Sequence, residues 1–331
     1  MLRNIQKNGR KQMKARLINY LFLFLLSSCS SAKFVTTEPL IKPELKDNFF
    51  FTRDGISLPF YSWGEKENPD KIIIAAHSFR DFSLAYKPIG QFLAKKNISL
   101  WTYDQRGFGD SPSLGKWSGK ENMIHDFIDF SKAVIATSKK DIPIILMGES
   151  MGAAVILAAL SLDWNIKKPE LIILSGPGVR ENNPRRYLLN FGLLIANQIK
   201  SENEVVLEEA YDNSLYEYHA KRWYKDKRVF NKIRLDTYYG LIKLSDFASN
   251  NTKDYGIPSL ILYGTDDSQI HKNSICALVK RLGDKAVLRV FKDRPHLILQ
   301  MKDQNTVYNL LNKWIENPVN SSKSDFINFC K

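Results

Sequence analysis

The chain has 331 residues, 44% of them hydrophobic and 25% charged, the usage of a globular protein with a sizeable core, which excludes extended disorder outside the two ends. Its formal charge is +13, but six of those positive charges (Arg3, Lys7, Arg10, Lys11, Lys14, Arg16) fall within residues 1–28, where no acidic residue occurs. The rest are spread and Lys-rich, without the basic and aromatic stripe of a nucleic-acid binder, so no nucleic acid is expected as a partner.

After Arg16 the chain reads Leu17-Ile18-Asn19-Tyr20-Leu21-Phe22-Leu23-Phe24-Leu25-Leu26. This is shorter than the roughly 20 apolar residues that span a bilayer and fits the apolar region of a secretory signal. The junction Leu26-Ser27-Ser28-Cys29 resembles the bacterial lipobox, in which a cysteine after small residues is lipidated and becomes the new N-terminus. The resemblance implies a signal peptide over residues 1–28, a lipid on Cys29, and a lipoprotein of the bacterial cell envelope, anchored in a membrane and facing the periplasm or exterior. A plain cleaved signal is the alternative. Met13 opens a compact Met-Lys-Ala-Arg signal, so Met1 and Met13 both stand as starts. Residues 29–47, polar with Pro39 and Pro43, read as a tether. Export permits disulfides. With Cys29 acylated, Cys276 in a helical stretch and Cys330 beside the C-terminus, two free thiols are nevertheless expected rather than a bridge. No cysteine pair has metal-ligand spacing, and neither metal nor cofactor is expected.

Asp54-Gly55 divides two β-rich runs between Phe49 and Trp63, which predicts a hairpin at the start of a domain beginning at residue 48. Short apolar runs recur at Lys71–Ala76, Ile98–Tyr103, Ile142–Met147, Leu171–Ser175, Ser259–Tyr263 and Val287–Phe291. They lack the alternation of half-exposed strands, so each is expected to be buried on both faces. Helical periodicity over Leu84–Lys96, Asn122–Ser138, Met151–Leu162 and Ser274–Leu282 alternates with them. The series predicts an α/β fold, a mostly parallel central sheet flanked by helices, over residues 48–175 and 257–317. About 80 residues between Ser175 and Ser259 carry no buried-strand signal but several helix-like stretches. Structureless loops of that length are rare in domains, so residues 176–256 are expected to form an inserted helical lid. Within it, Tyr187–Ala196 is amphipathic and either packs on the core or walls an acyl channel. Residues 318–331 read as a tail.

Gly148-Glu149-Ser150-Met151-Gly152 lies between a strand and the apolar helix Ala153–Leu162, the setting of a nucleophile elbow. Such a turn is too tight for side chains at its flanks, hence the glycines, and it lifts the Ser150 hydroxyl above the sheet at a helix N-terminus. The arrangement resembles the α/β-hydrolase fold, whose triad runs serine, acid, histidine along the chain. His77 and His125 precede Ser150, His219 falls in the lid before any suitable acid, and His271 follows Asp267 too closely to be oriented by it. His296, just past Val287–Phe291, is therefore the expected base. The acid is expected after Ser259–Tyr263, where Asp266 and Asp267 both stand. An oxyanion hole needs backbone donors. The amides of Met151 and, in the loop His77-Ser78-Phe79, of Phe79 are expected to supply them, with the His77 ring bracing that loop.

With His77-Ser78-Phe79-Arg80-Asp81, Tyr103-Asp104-Gln105-Arg106-Gly107-Phe108-Gly109-Asp110-Ser111-Pro112, Leu262-Tyr263-Gly264 and His296, the elbow resembles the monoacylglycerol lipase and lysophospholipase branch of the α/β-hydrolases. That branch is often labelled serine aminopeptidase S33, and the resemblance covers roughly residues 49–316. It implies an acid three residues after Gly264, favouring Asp267 with Asp266 as the alternative; the other aspartate would cap the following turn. It also implies that Asp104 and Arg106 brace the core. The implied activity is a serine carboxylester hydrolase that acts on single-chain lipids, lysophospholipid or monoacylglycerol, through an acyl-enzyme on Ser150. A small-ester esterase or S33-type peptidase is the enzyme alternative. An envelope lipoprotein that uses the fold as a binding module is the non-enzyme one, opposed by the complete set Ser150, Asp267, His296. Two departures stand out: relatives carry glycine where this chain has Ser78 and Ala153. Ser78 is expected to alter the oxyanion loop, and Ala153 to add a methyl at a helix–strand contact.

Overall fold

The apolar runs become neighbouring strands. A computed structural model describes residues 39–138, 141–162, 164–207, 212–318 and 323–331; the expected signal peptide, Cys29 and the first part of the tether lie outside the described residues. Strands β1 (Glu44–Lys46), β2 (Phe49–Phe51) and β3 (Ser57–Trp63) form an antiparallel meander. β4 (Lys71–Ala76), β5 (Ile98–Tyr103), β6 (Ile144–Glu149), β7 (Leu171–Ser175), β10 (Ser259–Gly264) and β11 (Ala286–Phe291) run parallel. Among the described residues they make one nine-stranded sheet in the order β1-β2-β3-β5-β4-β6-β7-β10-β11, with β3 antiparallel to β5. The expected mostly parallel sheet is thus present, and its central strands are buried along their whole length because helices cover both faces.

The helices are α1 (Lys87–Ala94), α2 (Lys120–Ile135), α3 (Met151–Ser161), α4 (Pro184–Lys200), α5 (Glu217–Lys225), α6 (Leu235–Asn251), α7 (Lys272–Leu282), α8 (Gln304–Glu316) and α9 (Lys323–Phe329). On one face Leu93 of α1 and Leu311, Trp314 and Ile315 of α8 close over Leu100, Ile73, Ile145, Ile173 and Leu262 of the sheet. α2 and α6 pack against α3. α8 has no counterpart in the sequence-based elements, although Val307, Leu311, Trp314 and Ile315 recur at helical spacing. β6 lies two residues later than its apolar run because Pro143 precedes it, and this register sets Gly148 beside Ala76.

Three boundaries differ from the sequence reading. The tether does not reach residue 47: Glu44–Lys46 pairs with Phe49–Phe51. Asp47 and Asn48 take left-handed conformations (φ 51° and 65°), which short polar side chains tolerate in a two-residue hairpin turn. The C-terminal segment is not a loose tail. α9 packs on β11, and Cys330 is bridged to Cys276 of α7, with Cα atoms 5.6 Å apart. The expectation of two free thiols is therefore wrong, because a separation of 54 residues carries no sign of spatial proximity until the path of α9 is known. Finally, the interval 176–256 is not wholly a helical lid. It contains a short antiparallel ribbon, β8 (Glu204–Val206) with β9 (Lys232–Arg234). Its last helix, α6, buries Ile242, Leu244 and Ala248 and belongs to the layer on α3.

Candidate active site

Every parallel strand of the sheet points its C-terminal end toward the same edge, where open α/β sheets place their ligands. Three of those ends converge. β6 runs into α3 through Ser150, which holds φ 52° and ψ −113°. For a residue other than glycine this is strained backbone, costing on the order of 1–3 kcal/mol unless the surroundings enforce it. Here they do. The Ser150 amide donates to the Ser175 carbonyl at 2.8 Å, and the Ser150 carbonyl accepts from Gly178 at 2.9 Å. Gly152 lies so close beneath β4 that any Cβ would overlap the Ala76 carbonyl oxygen, which is why the second flank of the elbow is glycine.

The turn after β10 supplies Asp267 and the loop after β11 supplies His296. His296 Nε2 is 2.8 Å from Ser150 Oγ, and His296 Nδ1 is 2.7 Å from Asp267 Oδ2. The Asp267 side chain has no exposed surface. Its other oxygen accepts the Gln269 and Ile270 amides at 2.8 and 2.9 Å, so Asp267, not its neighbour, caps the turn. Asp266 is exposed and accepts from the Thr265 hydroxyl. With the proton on Nδ1 facing Asp267, Nε2 offers its lone pair to the serine hydroxyl, the arrangement that general-base activation of a serine requires.

The other histidines lie elsewhere. His77 Nε2 accepts from the Gln105 amide at 3.0 Å and Nδ1 meets the Ser78 carbonyl at 2.8 Å; burial holds its ring down at about 3, a neutral brace for the loop. His125 is buried in α2, His219 in α5, and His271 caps α7 through Asn273. Asp104 accepts the Ser83 and Asp110 amides, and Arg106 bridges Asp54 and Asp126, so both sit in core bracing. Ser78 is outside the left-handed region, so glycine's freedom is not needed there; the left-handed residue of that loop is Arg80, with φ 64°. Ala153 is fully buried in α3.

Ser150 and Met151 open into a cavity of about 1540 Å³, also lined by Phe79. Its far wall comes from the inserted segment: Leu189 and Leu193 of α4, Val206, Trp223 and Ile242. Residues to which the sequence reading gave no role join the site from behind. Glu149, Gln300, Asp81 and Arg222 are all buried and connected by hydrogen bonds and an ion pair. Glu149 stands at the free position of Gly-x-Ser-x-Gly, where the pattern says nothing, and Gln300 and Arg222 belong to no motif. Among the described residues no group of three or more His, Cys, Asp or Glu could hold a metal, and no helix is long and apolar enough to cross a membrane.

Comparison with known proteins agrees with this geometry. Residues 67–303 match the family described as serine aminopeptidase, S33. A Schizosaccharomyces pombe protein named "Putative monoglyceride lipase" is 23% identical over 271 residues, spanning 76% of this chain and 68% of that protein. Among solved structures, the monoacylglycerol lipase of Paleococcus ferrophilus superposes with a TM-score of 0.63 at 16% identity, covering 78% of this chain and 98% of that one. A soluble variant of monoglyceride lipase from Saccharomyces cerevisiae, in complex with a substrate analog, gives 0.65 at 17%, covering 86% and 97%. At such identities the superpositions speak for the fold, while the family match spans most of the chain. The chain belongs to the serine aminopeptidase S33 family and is an α/β-hydrolase of monoacylglycerol lipase-like build.

Proposed function

We propose that the protein hydrolyses single-chain lipid esters, a monoacylglycerol or a lysophospholipid, through an acyl-enzyme on Ser150. Ser150 Oγ attacks the ester carbonyl while His296 Nε2 takes its proton, and Asp267 stabilises the imidazolium. The oxyanion meets the amides of Met151 and Phe79. His296 then returns the proton to the departing alcohol, and water, activated by the same ring, releases the fatty acid. The single observation that carries this reading is the unbroken chain Ser150–His296–Asp267, at 2.8 and 2.7 Å, opening into a cavity walled by apolar residues of α4. A hydrolysis screen over monoacylglycerols, lysophospholipids, short p-nitrophenyl esters and aminoacyl amides tests it. Preference for decanoyl over acetyl esters supports the lipid substrate; a preference for acetyl esters or amides would replace it with the small-ester or peptidase reading.

We further propose that the chain acts as a membrane-anchored envelope lipoprotein, lipidated at Cys29. The lipobox-like junction supports this. Cys29→Ser is expected to release the protein from the membrane fraction or leave an unprocessed precursor; unchanged mass and unchanged membrane association would contradict it.

A further inference from the structure

Behind the elbow, one buried amide joins four parts of the molecule. Gln300 is 1% exposed and lies four residues after His296. Its Nε2 donates to Glu149 Oε2 at 2.7 Å and to Asp81 Oδ2 at 3.0 Å. Its Oε1 accepts from Arg222 Nη2 at 2.7 Å and Trp223 Nε1 at 2.9 Å. Two donors and two lone pairs are an amide's full capacity, so its orientation is determined and no other side chain of that shape satisfies all four partners.

The four partners lead to three pieces of the site. Glu149 immediately precedes Ser150, and its Oε1 accepts from Ser175 Oγ at 2.9 Å and from the Leu299 amide, in the base loop, at 3.2 Å. Asp81 ends the loop that holds Phe79, accepting the Phe82 amide at 2.7 Å and forming an ion pair with Arg222. Arg222 and Trp223 lie on α5 of the inserted segment, and Trp223 also faces the cavity. Two carboxylates and one guanidinium are thus buried together, an expensive arrangement that apolar residues would replace if packing alone were required. Asp81 pairs with the guanidinium, which leaves the Glu149 carboxyl, held by hydrogen bonds alone, next to the elbow and the base loop.

We propose that Gln300 and Glu149 are positioning residues that couple the seating of α5 on the core to the geometry of Ser150 and to the charge around His296. The inference rests on the hydrolytic reading above. Burial pushes the Glu149 carboxyl up, against the pull of Gln300, Ser175, Leu299 and His296. The other charged or titratable groups facing this region are Asp267, Asp81 and Arg222, with Asp226 and Arg228 acting on Arg222, and the rings of His77, His219, Tyr86 and Tyr308. His77 and His219, both held at about 3, stay neutral over the working range.

The test uses the whole protein, acetyl p-nitrophenyl ester, a fluorophosphonate probe and two variants. Glu149→Gln keeps the volume and removes the charge; its NH2 must face either the Gln300 NH2 or the Leu299 amide, a loss that lowers the plateau and does not set the position of the acid limb. An imidazolium without that neighbour releases its proton more readily, so the acid limb of the kcat/KM profile is expected to move to lower pH by about half a unit or more. Gln300→Leu is expected to lower kcat about tenfold or more with KM changed by less than about threefold, because it disturbs the reacting groups rather than the cavity. A purely structural role would depress the plateau and leave the acid limb in place. Wild-type protein labelled by the probe, with an unmoved acid limb in Glu149→Gln, would overturn this inference alone, even if Gln300→Leu fails to fold. Wild-type protein that is folded yet unlabelled would overturn the hydrolytic reading and this inference with it.

Discussion

Asp267 holds His296 with one carboxylate oxygen and its own turn with the other: Oδ2 is 2.7 Å from Nδ1, while Oδ1 accepts two backbone amides at 2.8 and 2.9 Å. An asparagine there must turn its NH2 either toward a ring N–H or toward two amide donors, and each choice opposes donor to donor. Asp267→Asn is therefore expected to lower kcat by about 10⁴-fold. Asp266→Asn, at an exposed side chain, should stay within about twofold of the unmodified protein. Steady-state rates on one p-nitrophenyl ester decide the matter; comparable losses in both variants would undo the assignment.

The cavity wall predicts a dependence on acyl length. Leu189 and Leu193 line it from α4. Each buried substrate methylene adds up to about 0.8 kcal/mol of binding, so kcat/KM should climb from acetyl to decanoyl esters. Leu193→Glu places a charge on that path and should reduce the decanoyl-to-acetyl ratio about tenfold or more. A ratio unchanged by the charge would show that the chain lies elsewhere.

Stability should fall in mild acid, in part through His219. Burial pushes this ring down to about 3, against about 6.5 in an unfolded chain. Between those values the unfolded chain binds a proton that the folded one does not, so stability drops as pH falls through the window. Asp126, pushed up to about 6 by burial, acts in the opposite direction, since its folded carboxyl takes up a proton first. His219→Gln should accordingly flatten the acid slope by up to about 1.4 kcal/mol per pH unit. Urea denaturation at pH 7, 6 and 5 measures it, and parallel slopes in the two proteins would count against a neutral His219.

The Cys276–Cys330 bridge ties α9 to the body of the enzyme, where Phe329 meets Tyr263 with ring centroids 5.5 Å apart. The Tyr263 hydroxyl in turn donates to Ile270 in the turn that carries Asp267. Replacing both cysteines with serine should lower stability by about 2–4 kcal/mol under non-reducing conditions. The difference from the unmodified protein should vanish in reductant. Identical midpoints with and without reductant would argue against the bridge.

The parallel strands were legible because helices on both faces leave them no solvent-facing position: Ile98–Tyr103 and Leu171–Ser175 read as mostly apolar runs and fold with those same bounds. The triad was legible because chain order and the strand–turn–helix context leave Ser150 and His296 few rivals, and geometry then distinguishes Asp267 from Asp266. What stayed hidden depends on distance in space rather than on pattern. Cys330 reaches Cys276 only through the path of α9, and Gln300 meets Glu149, Asp81 and Arg222 across separations of 151, 219 and 78 residues. The first hairpin was missed because Asp47-Asn48 lacks the glycine of the commonest two-residue turns.

In the proposed mechanism Ser150 Oγ is the atom that carries the acyl group. Intact-protein and peptide mass spectrometry after brief exposure to a slowly hydrolysed long-chain ester tests this directly. One acyl adduct is expected, on the peptide containing Ser150 and absent from Ser150→Ala, which stays folded and loses ester turnover together with the adduct. An adduct on a different residue, or normal turnover by folded Ser150→Ala, would contradict it.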